Sequence, residues 1–367
     1  MIRLRTGTVL RATEVRPGLV ELDVEVEGRT DLALSYPQLT GPVAEGDRVL
    51  LNTTARALEL GTGGYHFVLA VLGETEMDPA DEGHVMKLRY TPLQAKVRTA
   101  EEQGSPQRER IQAQAGLEGL PVVWTPLHSM VGAAAAGAKA AGAARVAYVM
   151  TDGAALPAWL SDQVADLKEA GLIDSVITSG QALGGDVETV NVFTGLLAVR
   201  AVAEADVAIV ADGPGKVGTA TKWGASDVAS GMTLNAAGIL GGRPIATLRL
   251  GFGDPSYRHH GVSPHSITVL REVALVPVHV VIPALEDERR GMVWDALKEA
   301  RLEERHQLVE VTGQPALELL AAKGVKAQTM GRKLEDDPEF FLAAGAAGVL
   351  AGRMAASSER WKREAER

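Results

Sequence analysis

Two hydrophobic rhythms divide the chain. Over residues 1–73, apolar and polar positions alternate in short runs at Leu4–Ala12, Val20–Glu27, Asp31–Ser35, Arg48–Asn52 and Phe67–Leu72. A period of two marks a strand with one buried face. Pro17-Gly18, Gly28 and Glu45-Gly46-Asp47 supply turns between the runs. Short strands at this spacing predict a small all-β, barrel-like domain. Its plainer role is packing or oligomerisation. An oligonucleotide-binding barrel would need aromatic and basic side chains on one face, and only Tyr36, Tyr65 and Phe67 supply rings.

Residues 74–120 read as a linker and connecting segment. Glu74–Gly83 is polar and acidic, Val85–Tyr90 is strand-like, Thr91-Pro92 has the form of a helix start, and Gln103–Gly116 reads as a polar helix. From Pro121 to the end the rhythm changes. Strand-type runs recur at Val122–Thr125, Val146–Met150, Ser175–Thr178, Val207–Ala211, Ile245–Leu250, Val278–Ile282 and Leu308–Val311. Ala- and Leu-rich helical stretches such as Ala158–Ala170 and Asn191–Ala205 separate them, and Val325–Ala351 reads as a last βα unit. Strands buried on both faces and alternating with helices predict an α/β domain over 121–367. Its sheet is mainly parallel and Rossmann-like.

In such sheets ligands bind outside the carboxyl ends of the strands. The residues that follow the runs are His128-Ser129, Thr151-Asp152-Gly153, Ser179-Gly180, Asp212-Gly213 and Gly253-Asp254. Loop starts are polar in general, but a histidine and three aspartates at neighbouring strand ends point to a shared cleft. His128, Asp152, Asp212 and Asp254 are therefore candidate catalytic groups. The turn Gly213–Thr219 follows the most apolar run. Gly213, Gly215, Lys216, Gly218 and Thr219 are candidates for cradling an anion, with Lys216 or Lys222 as counter-charge. The turn also fits the dinucleotide pattern G-x-G-x-x-G. However, helical pattern resumes only near Ser226, and the next strand-end acid comes later than the roughly 20 residues that fingerprint needs. NAD or FAD is thus disfavoured.

His259, His260 and His265 crowd one loop with Asp254 and Arg258. Imidazoles and a carboxylate suit zinc, iron or manganese, although Gly261 and Pro264 deny the segment a rigid helical face. The other readings are acid–base chemistry by His259 or His265, and an anion rim built on Arg258. Asp186 reads as the cap of a helix beginning near Val187, with Asn191 one turn in and able to face ligand. Gly61–His66 reads as a hairpin or lid. His84, Lys87 and Arg89 are candidate ligand charges on a strand more simply read as solvated.

Composition narrows the classes. A net charge of −10 argues against nucleic acid, and the lack of cysteine excludes disulfides, thiolate metal sites and cysteine nucleophiles. The longest apolar stretch, Phe340–Gly352, falls short of the roughly 20 residues of a bilayer span. No leader pattern opens the chain. A cytoplasmic, membrane-free protein is expected, and the Ala/Gly-rich helix Phe340–Ala356 could pair within the chain or across a homo-oligomer.

The segments GTGGYHFV, GHVMKLRYTPLQ, LHSM, VAYVMTDGAALP, GGDVETVNVF, DGPGKVGTATKWG, LGGRPIA and RHHGVS together resemble an uncharacterised bacterial family, the domain of unknown function 3866. The resemblance implies a bacterial, cytosolic protein and carries no reaction, cofactor or catalytic residue. The residues themselves favour an enzyme, a hydrolase or group transferase acting on an anionic, phosphorylated or nucleotide-like molecule. A non-catalytic metabolite-binding or regulatory protein and a dinucleotide-dependent oxidoreductase are the alternatives.

Overall fold

The computed structural model describes residues 2–58, 64–73, 76–78, 83–253 and 260–365. The chain divides into two compact units, Met1–Arg98 and Thr99–Arg367.

The first unit holds a closed five-stranded barrel of β1 (Leu4–Arg16), β2 (Leu19–Val26), β3 (Arg29–Ser35), β4 (Arg48–Asn52) and β5 (His66–Leu72), in the order β1-β2-β3-β5-β4. Closure follows from the long first strand, which pairs with β2 through Thr8–Arg16 and with β4 through Leu4–Thr8. Irregularities after Val9 and Glu14 bend it enough to serve both neighbours. The alternation sorts the side chains. Leu22, Val24 and Val26 enter the core with Val9, Val49, Leu51 and Val68. Glu25, between two of them on β2, faces water.

The same unit ends in an antiparallel pair, Val85–Lys87 with Ala95–Val97. The helix expected from Thr91-Pro92 is therefore absent; those residues form the turn between the two strands, and the Thr91 hydroxyl donates to the Leu88 carbonyl.

The second unit is built on eight parallel strands: β6 (Pro121–Trp124), β7 (Val146–Thr151), β8 (Ser175–Ser179), β9 (Val187–Thr189), β10 (Val207–Asp212), β11 (Arg243–Thr247), β12 (His279–Pro283) and β13 (Gln307–Val311). Their order is β9-β8-β7-β10-β6-β11-β12-β13. Residues of β6 and β10 are 0–1% exposed, as expected of central strands covered on both faces. Helices α2 (Val192–Ala201) and α3 (Met232–Ile239) pack on one face with Val122, Val149 and Val210. Helices α1 (Val131–Ala140), α4 (Gln314–Ala322) and α5 (Pro338–Ala365) belong to the opposite core with Val123, Tyr148 and Ile209.

The fit of α1 to α5 depends on glycine. A Cβ on Gly348 would stand 2.0 Å from the Ala134 carbonyl oxygen, and one on Gly137 would stand 2.2 Å from that of Gly345. The segment Pro338–Ser357 has the length and apolarity of a membrane span, but 67% of its most apolar stretch is buried inside the protein.

Three expectations are corrected here. Val187–Thr189 is an edge strand, so Asp186 caps no helix; its carboxylate instead accepts the Val176 N–H and pairs with Lys168. The polar helix of Gln103–Gly116 is confined to Arg108–Ala113. Val325–Ala351 adds no strand to the sheet; Gln328–Thr329 and Arg332–Lys333 form a separate antiparallel pair before α5.

Candidate functional site

The connection from β6 passes over β10 to reach β7, and the connection from β10 passes over β6 to reach β11. Adjacent strands whose connections leave in opposite directions open a crevice at their carboxyl ends, the preferred ligand position in this architecture. β10 ends in Asp212, and register sets that residue beside Thr151 of β7.

The Asp212 carboxylate is 1% exposed. Its Oδ1 accepts the Thr151 hydroxyl at 2.6 Å and the Gly153 N–H at 3.0 Å. Its Oδ2 lies 3.1 Å from Lys216 Nζ, an ion pair set outside hydrogen-bonding angles. Lys216 reaches back because Gly215, at φ +91°, turns the chain under it. Burial pushes the Lys216 ammonium below its usual proton affinity, and Arg249 pushes the same way. The charges of Asp212 and Asp227 pull against that shift. Nζ is also 3.4 Å from Ser230 Oγ, which receives the Trp124 indole N–H at 3.0 Å. The ends of β6 and β10 thus meet at one buried ammonium–carboxylate pair.

Behind the pair lies His128. Its Nδ1 is 3.0 Å from the Tyr148 hydroxyl, and its Nε2 is 2.7 Å from Ser161 Oγ. Tyr148 donates toward the carbonyls of Ala211 and Asp212 at 3.3 and 3.2 Å. The network therefore places the imidazole proton on Nδ1 and makes Nε2 the acceptor of the Ser161 hydroxyl. Burial pushes the His128 pKa down to about 4. It pushes the Tyr148 phenol up, with the Asp212 charge adding to that. Both ring nitrogens are engaged, so His128 holds the end of β10 in place as a neutral ring.

The remaining candidates are placed as follows. Asp152 is exposed beside this edge, and its Oδ2 accepts the Gln181 N–H at 2.8 Å. Asn191 is the cap of α2: its Oδ1 accepts from Phe193 and Thr194, with a reciprocal bond from the Asn191 N–H to the Thr194 hydroxyl. Gly213 serves a close approach between loops, since a Cβ there would stand 2.3 Å from the Ala155 carbonyl oxygen.

The glycine turn spends part of its own backbone. Val217 N–H donates to Ser226 Oγ, Thr219 N–H donates to the Gly224 carbonyl, and Gly218 bridges Ala225. The helical turn after it begins only at Ser226, and its N-cap Ala225 is bridged by Gly218, so the helix does not follow the glycines directly as in a dinucleotide fold. His265 Nε2 lies 3.0 Å from the Thr221 carbonyl, while His260 stands edge-on to Phe252. Asp254, Arg258 and His259 lie outside the described residues, as do Gly61, Thr62 and Gly63. Among the described residues no group of three or more His, Asp or Glu side chains is arranged to hold a metal ion.

Sequence reasoning missed Trp124, Tyr148, Ser161, Asp227, Ser230 and Arg249. Tyr148 carried a signal as the one polar-tipped residue inside the run Val146–Met150. The four-residue spacing of Asp212 and Lys216 was a second.

Residues 32–348 match a family described as a protein of unknown function, DUF3866. The chain belongs to that family. No curated protein and no solved structure matches the chain. The DUF3866 match begins inside β3 and ends inside α5, so every residue of the crevice lies within it.

Proposed function

We propose that this DUF3866 protein is an enzyme of hydrolysis or group transfer. In this reading it takes an anionic small molecule, phosphorylated or nucleotide-like, at the carboxyl edge of the parallel sheet in a cytosolic setting. The observation that carries the reading is the buried Asp212–Lys216 pair at the crossing point of the strand connections. An ammonium whose proton affinity is lowered by burial is poised both to neutralise an anion and to move a proton. Asp212 holds it as an ion pair, while His128 acts as a positioning residue through Tyr148.

The test is a panel of nucleotides and sugar phosphates, read by thermal shift and by product release. Lys216→Met is expected to abolish the ligand-induced shift, at a stability cost because it leaves the buried Asp212 carboxylate unpaired. Asp212→Asn removes the ion-pair partner of the buried ammonium, leaving only the charge of Asp227, and is expected to lose about 3–5 kcal/mol of stability together with turnover. Unchanged shift and turnover in both variants would overturn the reading. A saturable shift that Lys216→Met removes, with no turnover across the panel, would instead identify a non-catalytic metabolite binder. The observation favouring that second reading is that protein groups already occupy both Asp212 oxygens.

A further inference from the structure

A second cavity, of about 430 Å³, lies between the segments that lead into β12 and β13. It is therefore at the amino ends of those strands and separate from the crevice at the carboxyl edge. Arg271, Arg301 and Arg305 line it, with Glu272 and Glu304. Glu272 pairs with Lys222 at 2.7 Å and lies 3.9 Å from Arg271 Nε; three guanidinium groups against two carboxylates leave the lining net positive.

The walls are built rather than loose. Residues Val269–Val273 form a π-helical turn, closed by the Ala274 N–H on the Val269 carbonyl at 2.8 Å. Such a wide turn leaves carbonyls without their usual helical donors. The opposite wall supplies replacements: His306 Nε2 meets the Leu270 carbonyl at 2.7 Å, and Arg305 Nη1 donates to those of Arg271 and Ala274 at 3.0 and 3.3 Å. Burial holds His306 below the usual imidazole range, which suits a neutral ring giving its one proton to that carbonyl. Arg301 sits in the left-handed region at φ +53°, a conformation an arginine adopts only against a steric cost. Strain and a rare helical form thus coincide at one arginine-lined hollow.

We propose that this hollow binds a compact multivalent anion, a phosphate ester or pyrophosphate group or a small polycarboxylate, gripped by Arg271 and Arg301 with Arg305 as the fixed third charge. Guanidinium forks match the paired oxygens of both anion types, and the volume falls in the range of small-molecule sites. The site is independent of the crevice chemistry.

Calorimetric titration of the full chain with pyrophosphate and, separately, with citrate, each to about 10 mM, tests it. Saturable binding of either anion is expected, with the preferred one naming the oxyanion class. Arg271→Glu/Arg301→Glu should weaken that binding at least tenfold, and the milder Arg271→Ala/Arg301→Ala pair should follow if the reversal disturbs folding. Lys216→Met should leave it unchanged, which separates this site from the one proposed at Asp212. No saturable binding of either anion overturns the proposal. So does binding that survives both arginine pairs, or binding that Lys216→Met removes.

Discussion

The barrel strands and the central sheet strands treat polar side chains in opposite ways. On the barrel, Arg11 and Asp23 pair at 2.7 Å with side chains 64% and 26% exposed, and Arg56 meets Asp31 in a similar half-wet setting. Every second position of an alternating strand reaches water, so a charge there needs no protein partner. In the sheet, Asp212 and His128 have no such outlet. Each is surrounded by groups that satisfy it individually: Thr151, Gly153 and Lys216 for one, Tyr148 and Ser161 for the other. A polar residue ending a doubly covered strand therefore carries its partner set with it. That set is informative about the site in a way that the barrel's charges are not.

Acid should expose the contrast most strongly. His128 has a folded pKa near 4 against an ordinary 6.5. Between those values the unfolded chain takes up a proton that the folded chain refuses, so stability falls as pH drops from about 6.5 to 4. The expected loss from this group is about 3 kcal/mol. It is absent at pH 7, where the ring is neutral in both states. His306 is shifted the same way and adds to the trend. Urea unfolding at pH 7 and pH 4.5 should show a smaller acid loss in His128→Gln than in the parent; equal losses would mean that the ring is not held neutral.

Packing gives the next effect. Gly348→Ala would drive a methyl into the Ala134 carbonyl, a backbone atom that cannot yield cheaply. The variant should lose about 1–3 kcal/mol in chemical denaturation. Gly291→Ala, in the helix Asp287–Glu299 with nothing within 4 Å, is the control and should be neutral or slightly stabilising. The smallest effect belongs to the barrel. Arg11→Ala should cost under about 1 kcal/mol, and the difference should shrink further in high salt. A larger penalty there would break the contrast.

The same distinction explains what could be read in advance. Apolar runs locate buried strands closely, as with Val207–Ala211 inside the observed Val207–Asp212. The edge strand Val187–Thr189 escaped because an edge needs little burial: its Glu188 receives the Thr178 hydroxyl and the Gly184 N–H and reads as part of a helix start. Thr91-Pro92 has the local chemistry of a helix beginning, but the flanking residues pair as strands, and tertiary pairing overrides propensity. Asp212 and Lys216 stood out by their place after a strand. Ser161 and Ser230 come from distant segments and are joined to the crevice only by the fold. Arg249 was absorbed into an expected strand to Leu250, whereas the main-sheet strand stops at Thr247 and leaves Arg249 at the carboxyl edge.

The glycine seam between α1 and α5 also sets a timetable for folding. The helix that follows the first sheet strand has no cover for much of its apolar side until the last long helix has been made. A ribosome emitting this chain would finish the barrel long before α5, so one side of the sheet would stay open until that helix emerged. Truncations that remove α5 from Pro338 onward should therefore yield aggregation-prone products.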